Sequence, residues 1–372
     1  MITISSQFDG GNIDTVDTRE PSNILLNIKP DHESDFYQWF YFRLQGAQGV
    51  KCRMHILNAG TAAYPDGWRD YSTVASYDRV NWFRVPTRFE DGRLTIEHCP
   101  DKGLVWYAYF APYSGERHQD LLARALASPD CQYASLGQTL DGRELDLLTV
   151  GQPGPGKRVI WLTARQHPGE TMAEWFMEGL LERLLDNQDS VARELLSKAV
   201  FYLVPNMNPD GSARGHLRTN AAGVNLNREW TGPRLERSPE VHYVLVRMEQ
   251  TGVDLFLDIH GDEVLPYNFL AGCGGNPSFS EKQRQLESQF RQDLLAASDE
   301  FQLEYGYADD QFGQEALTLA ANQVGHRFNC LAMTLEMPFK DNSNRPAPSE
   351  GWSPERSKKL GSTVLTPILK AI

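Results

Sequence analysis

Apolar and polar residues change rhythm along this chain. In the first third, residues 51–56 alternate polar and apolar, 105–110 are aromatic and rich in β-formers, and 36–44 form a dense aromatic run, with turn residues between them. Alternation of period two bounded by turns predicts half-buried strands, and several such strands in succession predict an all-β unit. Residues 1–112 are therefore expected to form a small N-terminal β-sandwich domain. Trp39, Tyr41, Trp82 and Trp106 are assigned to its core rather than to a carbohydrate-stacking platform.

Near Pro112 the period lengthens. Residues 116–127 keep apolar positions at helical spacing, and Asp141-Gly142 between two alternating segments predicts a hairpin. After a Pro/Gly-rich turn at 151–157, the apolar runs 158–164, 199–204, 253–259 and 331–335 follow, with an amphipathic helix expected over 172–185. Continuous apolar strands alternating with helices predict an α/β domain over 113–372, a mostly parallel mixed sheet covered by helices on both faces. No repeat of solenoid length is present. In open sheets of this kind, ligand sites gather at the carboxyl ends of the strands. His167, the segment 206–210, His260 and Glu336 all follow apolar runs.

Composition narrows the class. The 372 residues are 41% hydrophobic and 23% charged, a soluble globular balance. A formal charge of −13 argues against binding nucleic acid or anionic membrane, which takes clustered lysine and arginine. Residues 1–22 have neither a basic nor an apolar leader pattern, and no run approaches a membrane span, so a cytoplasmic protein is expected. The scattered Cys52, Cys99, Cys131, Cys273 and Cys330 fit reduced thiols better than disulfides or a thiolate metal site.

His167 and Glu170 are three residues apart with Pro168 between them, and a lone His260 follows about ninety residues later. Pro168 lacks the N–H that a helix interior needs, so this pair belongs on a turn, unlike the two histidines of a His-Glu-x-x-His helix. Two ligands on one turn plus a distant third suit one zinc per chain with an open position for water.

Further motifs follow in order. Asn208-Pro209-Asp210-Gly211, Arg218, Asn225-Leu226-Asn227-Arg228 and Thr334-Leu335-Glu336 complete a series that resembles the zinc carboxypeptidases of the carboxypeptidase A type. The aromatic-rich segment ahead of it and the Thr-Leu-Glu are most similar to the cytosolic carboxypeptidases, bacterial members included. The resemblance implies a zinc exopeptidase with Glu336 as general base and peptide or protein C-termini as substrate. It also implies that Arg218 stabilises the oxyanion and, with Asn227 and Arg228, grips the substrate carboxylate. Guanidinium groups meet carboxylates bidentately, which fits that role. A homo-oligomer is left open.

Three features depart from the family or stay open. Asn225 stands where the pancreatic enzymes carry an aspartate behind a zinc histidine. The family's leaving-group tyrosine is either Tyr305 or Tyr307. Relatives that trim glutamate chains carry a Lys-Glu-Gly-Thr-x-Arg type segment whose threonine lies eighteen residues before the catalytic glutamate; at that register Thr318 matches, but Glu315 and Ala320 replace the lysine and arginine. An acidic side chain needs a paired cation when desolvated, so neutral or basic C-terminal residues are expected, and a preference for glutamate would require another cation such as Arg327 or Lys340. The competing functions are an N-acyl amino acid amidohydrolase of the aspartoacylase type and a noncatalytic zinc- or peptide-binding module.

Overall fold

The computed structural model describes residues 2–308 and 313–372, the side chains of residues 313–315 excepted. The N-terminal part holds two five-stranded sheets. One runs in the order Thr3–Ser5, Tyr41–Gln45, Leu104–Ala108, Val74–Ser76 and Phe83–Arg84; the other runs Asp14–Asp17, Ile24–Asn27, Cys52–Ile56, Arg93–His98 and Thr87–Glu90. Inward positions alternate, as Cys52, Met54 and Ile56 do, and these are fully buried. Trp39 and Tyr41 lie in the core, whereas Trp82 and Trp106 are half-buried against it. Only Tyr41–Gln45 of the aromatic run at 36–44 is strand. Aromatic density marked burial there rather than conformation.

The large sheet has seven strands in the order Cys131–Gln138, Glu144–Val150, Ala199–Val204, Arg158–Ala164, Leu255–Asp262, Leu331–Pro338 and Phe269–Ala271. Neighbours among the four from Ala199–Val204 to Leu331–Pro338 pair in parallel, and the outer strands pair antiparallel. The strand Leu255–Asp262 shows why its sequence reads as an apolar run. All of it is buried, with Leu255, Leu257 and Ile259 on one face and Phe256 on the other. The first face packs on Met172–Leu184 and continues into the sandwich core; the second packs on Pro239–Thr251 and Ala320–Phe328.

One close helix contact depends on glycine. A Cβ at Gly179 would lie 2.0 Å from the Lys358 carbonyl oxygen, and one at Gly361 2.0 Å from that of Phe176. Two glycines facing each other's helix thus let Met172–Leu184 and Pro354–Thr363 pack backbone to backbone.

Candidate metal centre and substrate cavity

The chain leaves the strand Arg158–Ala164 through Arg165, whose φ is +58°, and turns at 166–171 into the helix Met172–Leu184. Within that turn the Glu170 N–H donates to the His167 carbonyl at 3.1 Å, and the Gly169 N–H donates to the Leu217 carbonyl at 2.9 Å. Residue 169 must be small, because a Cβ would sit 3.0 Å from that carbonyl. His167 and Glu170 are thereby fixed on one side of the turn. His260 and Glu336 do not follow their strands, as the sequence suggested, but lie inside them as direct partners in the parallel register. The polar residues interrupt the apolar pattern without ending the strands, which run on to Asp262 and Pro338.

The three groups converge. One Glu170 oxygen lies 2.6 Å from His167 Nδ1, the other 2.8 Å from His260 Nδ1, and the two Nδ1 atoms are 3.2 Å apart. All three residues are buried, and among the described residues they form the one His/Cys/Asp/Glu group whose donor atoms can share a metal ion. Each outer ring nitrogen faces an acceptor: His167 Nε2 to Asn225 Oδ1 at 3.0 Å, His260 Nε2 to Asp258 Oδ2 at 2.8 Å. Acceptors behind both rings select the tautomer with a lone pair on Nδ1, as a ligating histidine requires.

The two imidazoles differ in their electrostatics. Burial and the nearby Arg218 lower His167 to about 4. Burial also opposes charge on His260, but Asp258 and Glu170 outweigh it and push its pKa well up. Glu170 is likewise opposed by burial, yet the two imidazoles bring it down. A buried carboxylate between two imidazoles, with more carboxylates nearby, is a field that favours a cation. The donor set of two nitrogens and one carboxylate suits zinc.

A cavity of about 560 Å³ opens beside these groups, and Glu336, Arg218, Asn227 and Arg228 line it. Glu336 Oε2 is buried and has no hydrogen-bond partner among the described residues. Burial above all, then the charges of Glu170, Asp262 and Glu263, hold Glu336 well above the usual carboxylate range against the pull of His260. The Asn227 side chain is anchored by accepting from the Ala320 N–H at 2.8 Å, and Arg228 donates to the Asn227 carbonyl at 2.7 Å. Tyr307 lines the cavity and donates to Asp262; Tyr305 instead stacks on Tyr267 at 4.3 Å, away from the lining. Ala320 is buried with its amide tied to Asn227, Arg327 pairs with Glu249, and Lys340 donates to the Arg69 carbonyl at 2.7 Å. The side chain of Glu315 lies outside the described residues.

Several contributors escaped the sequence reading. Gln166 donates to Asp258, Asp262 and Glu263 line the cavity, and Tyr64 reaches it from the sandwich. The Asn-Pro-Asp-Gly motif, which the sequence did show, braces the metal loop, because Asn208 caps the helix Pro209–Arg214 and donates to the Gln166 carbonyl at 3.0 Å. Of the residues that escaped, Asp258 carried a readable signal. It is an acidic residue inside the apolar run that leads to His260, two residues from that histidine and so on the same face.

The zinc carboxypeptidase family model matches residues 119–358. The chain belongs to that family. The model of the cytosolic carboxypeptidase N-terminal domain matches residues 4–110 of this zinc carboxypeptidase. It is 50% identical to a metallo-carboxypeptidase from Burkholderia cenocepacia, with a TM-score of 0.98 over 100% of this chain and 99% of that one. A metallo-carboxypeptidase from Pseudomonas aeruginosa, solved in complex with (2-guanidinoethylmercapto)succinic acid, is 47% identical with a TM-score of 0.96 over 99% and 98%. Among curated relatives, mouse cytosolic carboxypeptidase 6 is 29% identical over 91% of this chain and 67% of its own length. No helix among the described residues is long and apolar enough to cross a membrane.

Proposed function

We propose that this protein removes the C-terminal residue of peptide or protein substrates, with one zinc held by His167, Glu170 and His260. The observation that carries the reading is one cavity lined by His167 and Glu170 of that donor set, by Arg218 and Arg228, and by Glu336, whose buried Oε2 has no partner among the described residues. Bound there, zinc supplies a Lewis acid that polarises the scissile carbonyl and eases ionisation of water near neutral pH.

Glu336 Oε2 takes a proton from the attacking water as the water oxygen bonds to the carbonyl carbon. It then gives that proton to the amide nitrogen as the C–N bond breaks. Burial raises its proton affinity, which falls again beside a bound zinc ion, so the carboxylate can both take the proton and pass it on. Arg218 faces the oxyanion, and Arg218, Asn227 and Arg228 hold the free α-carboxylate. An internal peptide bond offers no carboxylate there, so the clamp selects chain ends. Tyr307 is the better placed of the two tyrosines to meet the leaving group.

The terminal side chain is neutral or basic in this reading. Among the described lining residues the cations are Arg218 and Arg228, while Asp262 and Glu263 add carboxyl groups. The Pseudomonas relative was solved with a compound that carries a guanidino group beside its carboxylates, which supports trying basic C-terminal residues as substrates. The same reading divides the chain near residue 112, between the two matched segments, and places it in the cytoplasm.

Glu336→Gln tests the central assignment. It should keep zinc and the thermal midpoint yet lose at least about a hundredfold in kcat, the usual worth of a positioned base. Near-normal turnover would transfer the role to another carboxylate, such as Glu263.

A further inference from the structure

The sandwich reaches the substrate cavity through a carboxylate that is not itself on the cavity wall. Asp31 is buried and closes a short turn, its N–H donating to the Phe36 carbonyl at 2.8 Å. Its Oδ1 accepts from the Leu217 N–H at 2.6 Å. Its Oδ2 accepts from the Arg218 N–H at 2.8 Å, the Thr219 N–H at 2.9 Å and the Thr219 hydroxyl at 3.0 Å. Three consecutive amides thus close around one ionised side chain, an anion nest of charge-assisted bonds. The sandwich pins the same segment twice more: His32 N–H donates to His216 Nε2 at 3.1 Å, and Asn12 Nδ2 donates to the Gly215 carbonyl at 2.9 Å.

The Arg218 side chain leaves this clamped backbone. Its guanidinium carbon lies 5.7 Å from the centre of the Phe36 ring and 5.3 Å from that of Tyr64, both within cation–π range and both in the sandwich. Burial opposes the Arg218 charge while Tyr64, then Glu263 and Glu170, support it, so a long cationic side chain in this cavity has attractors besides substrate. A guanidinium drawn onto either carboxylate would be neutralised before substrate arrived.

We propose that Asp31 is a positioning residue for Arg218, fixing its backbone while Phe36 and Tyr64 hold its head group, so that the sandwich forms part of the substrate clamp. The proposal rests on the reading that Arg218 acts on substrate. It also explains why the two domains share one core: the clamp needs its anchor and its guanidinium in a fixed relation.

A double-mutant cycle tests it, with kcat/KM measured on a blocked dipeptide carrying a free C-terminal carboxylate. Asp31→Asn keeps the shape but turns one acceptor into a donor facing amide N–H groups. It should lower kcat/KM about tenfold or more in the parent and less than about twofold in the Arg218→Ala background, with zinc content unchanged. Phe36→Leu removes one ring without touching the nest or the cavity wall, and should show the same loss and the same disappearance; it keeps the test alive if Asp31→Asn folds poorly. Equal losses in both backgrounds, or no loss in the parent, would overturn the positioning role. An Arg218→Ala protein as active as the parent would instead remove the reading of Arg218, and the proposal with it.

Discussion

Exchanging the acceptors behind the two imidazoles should move zinc affinity in opposite directions. His167 is backed by an amide oxygen, Asn225 Oδ1, and His260 by a carboxylate, Asp258 Oδ2. Both partners of Asn225 Oδ1 are donors, His167 Nε2 and the Asn227 N–H, each at 3.0 Å. An aspartate there would satisfy both without rearrangement. Charge-assisted hydrogen bonds are about twice as strong as neutral ones, and outer partners typically shift metal affinity by ten- to a hundredfold. Asn225→Asp should therefore tighten zinc about tenfold, or ~1.4 kcal/mol. Asp258 accepts from Thr163 at 2.7 Å, Gln166 at 2.5 Å and His260 at 2.8 Å. In Asp258→Asn the amide oxygen can keep His260, and the Thr163 hydroxyl can turn to accept from the new NH2, so the main loss is charge. Zinc should weaken by about ten- to a hundredfold. Competition against a chromophoric chelator at fixed pH reads both, with His167→Ala as the control lacking a ligand. Looser zinc in Asn225→Asp, or an affinity within twofold of the parent in Asp258→Asn, would refute the opposed roles of the two acceptors.

Other expectations concern specificity and pH. Peptides ending in Leu or Lys should show higher kcat/KM than the same peptide ending in Glu, and a clear preference for Glu would mean a cation outside the described lining serves the pocket. His118, bridging Glu174 at 2.7 Å and Asp146 at 2.8 Å, is drawn down by burial, but those two carboxylates raise it to about 9. A raised histidine contributes stability that is whole below its unfolded pKa near 6.5 and is lost as pH climbs through about 9. The thermal midpoint should fall across that window, and His118→Gln should flatten the slope; an unchanged slope would reject the linkage.

Legibility in the sequence followed burial. Arg158–Ala164 and Ala199–Val204 agree with the apolar runs residue for residue, because strands covered on both faces have no polar alternation to blur their ends. The strands carrying His260 and Glu336 were cut short for the converse reason, since their functional residues interrupt that pattern. The ligand turn was readable from Pro168 alone. Asp31 gave no signal, as its partners at 217–219 are more than 180 residues away and only the packed domains bring them together. Gln166 and Glu263 were silent too, because a polar residue beside a loop motif looks the same whether it is solvated or turned into a cavity.

Mass spectrometry of one peptide in two forms, free acid and C-terminal amide, after incubation with zinc-loaded protein tests the exopeptidase reading most directly. The free acid should shorten one residue at a time from its C-terminus while the amide stays intact, since Arg218 and Arg228 would then face a neutral group and remain underpaired. Cleavage of the amide at the same rate, or internal fragments from either form, would contradict it.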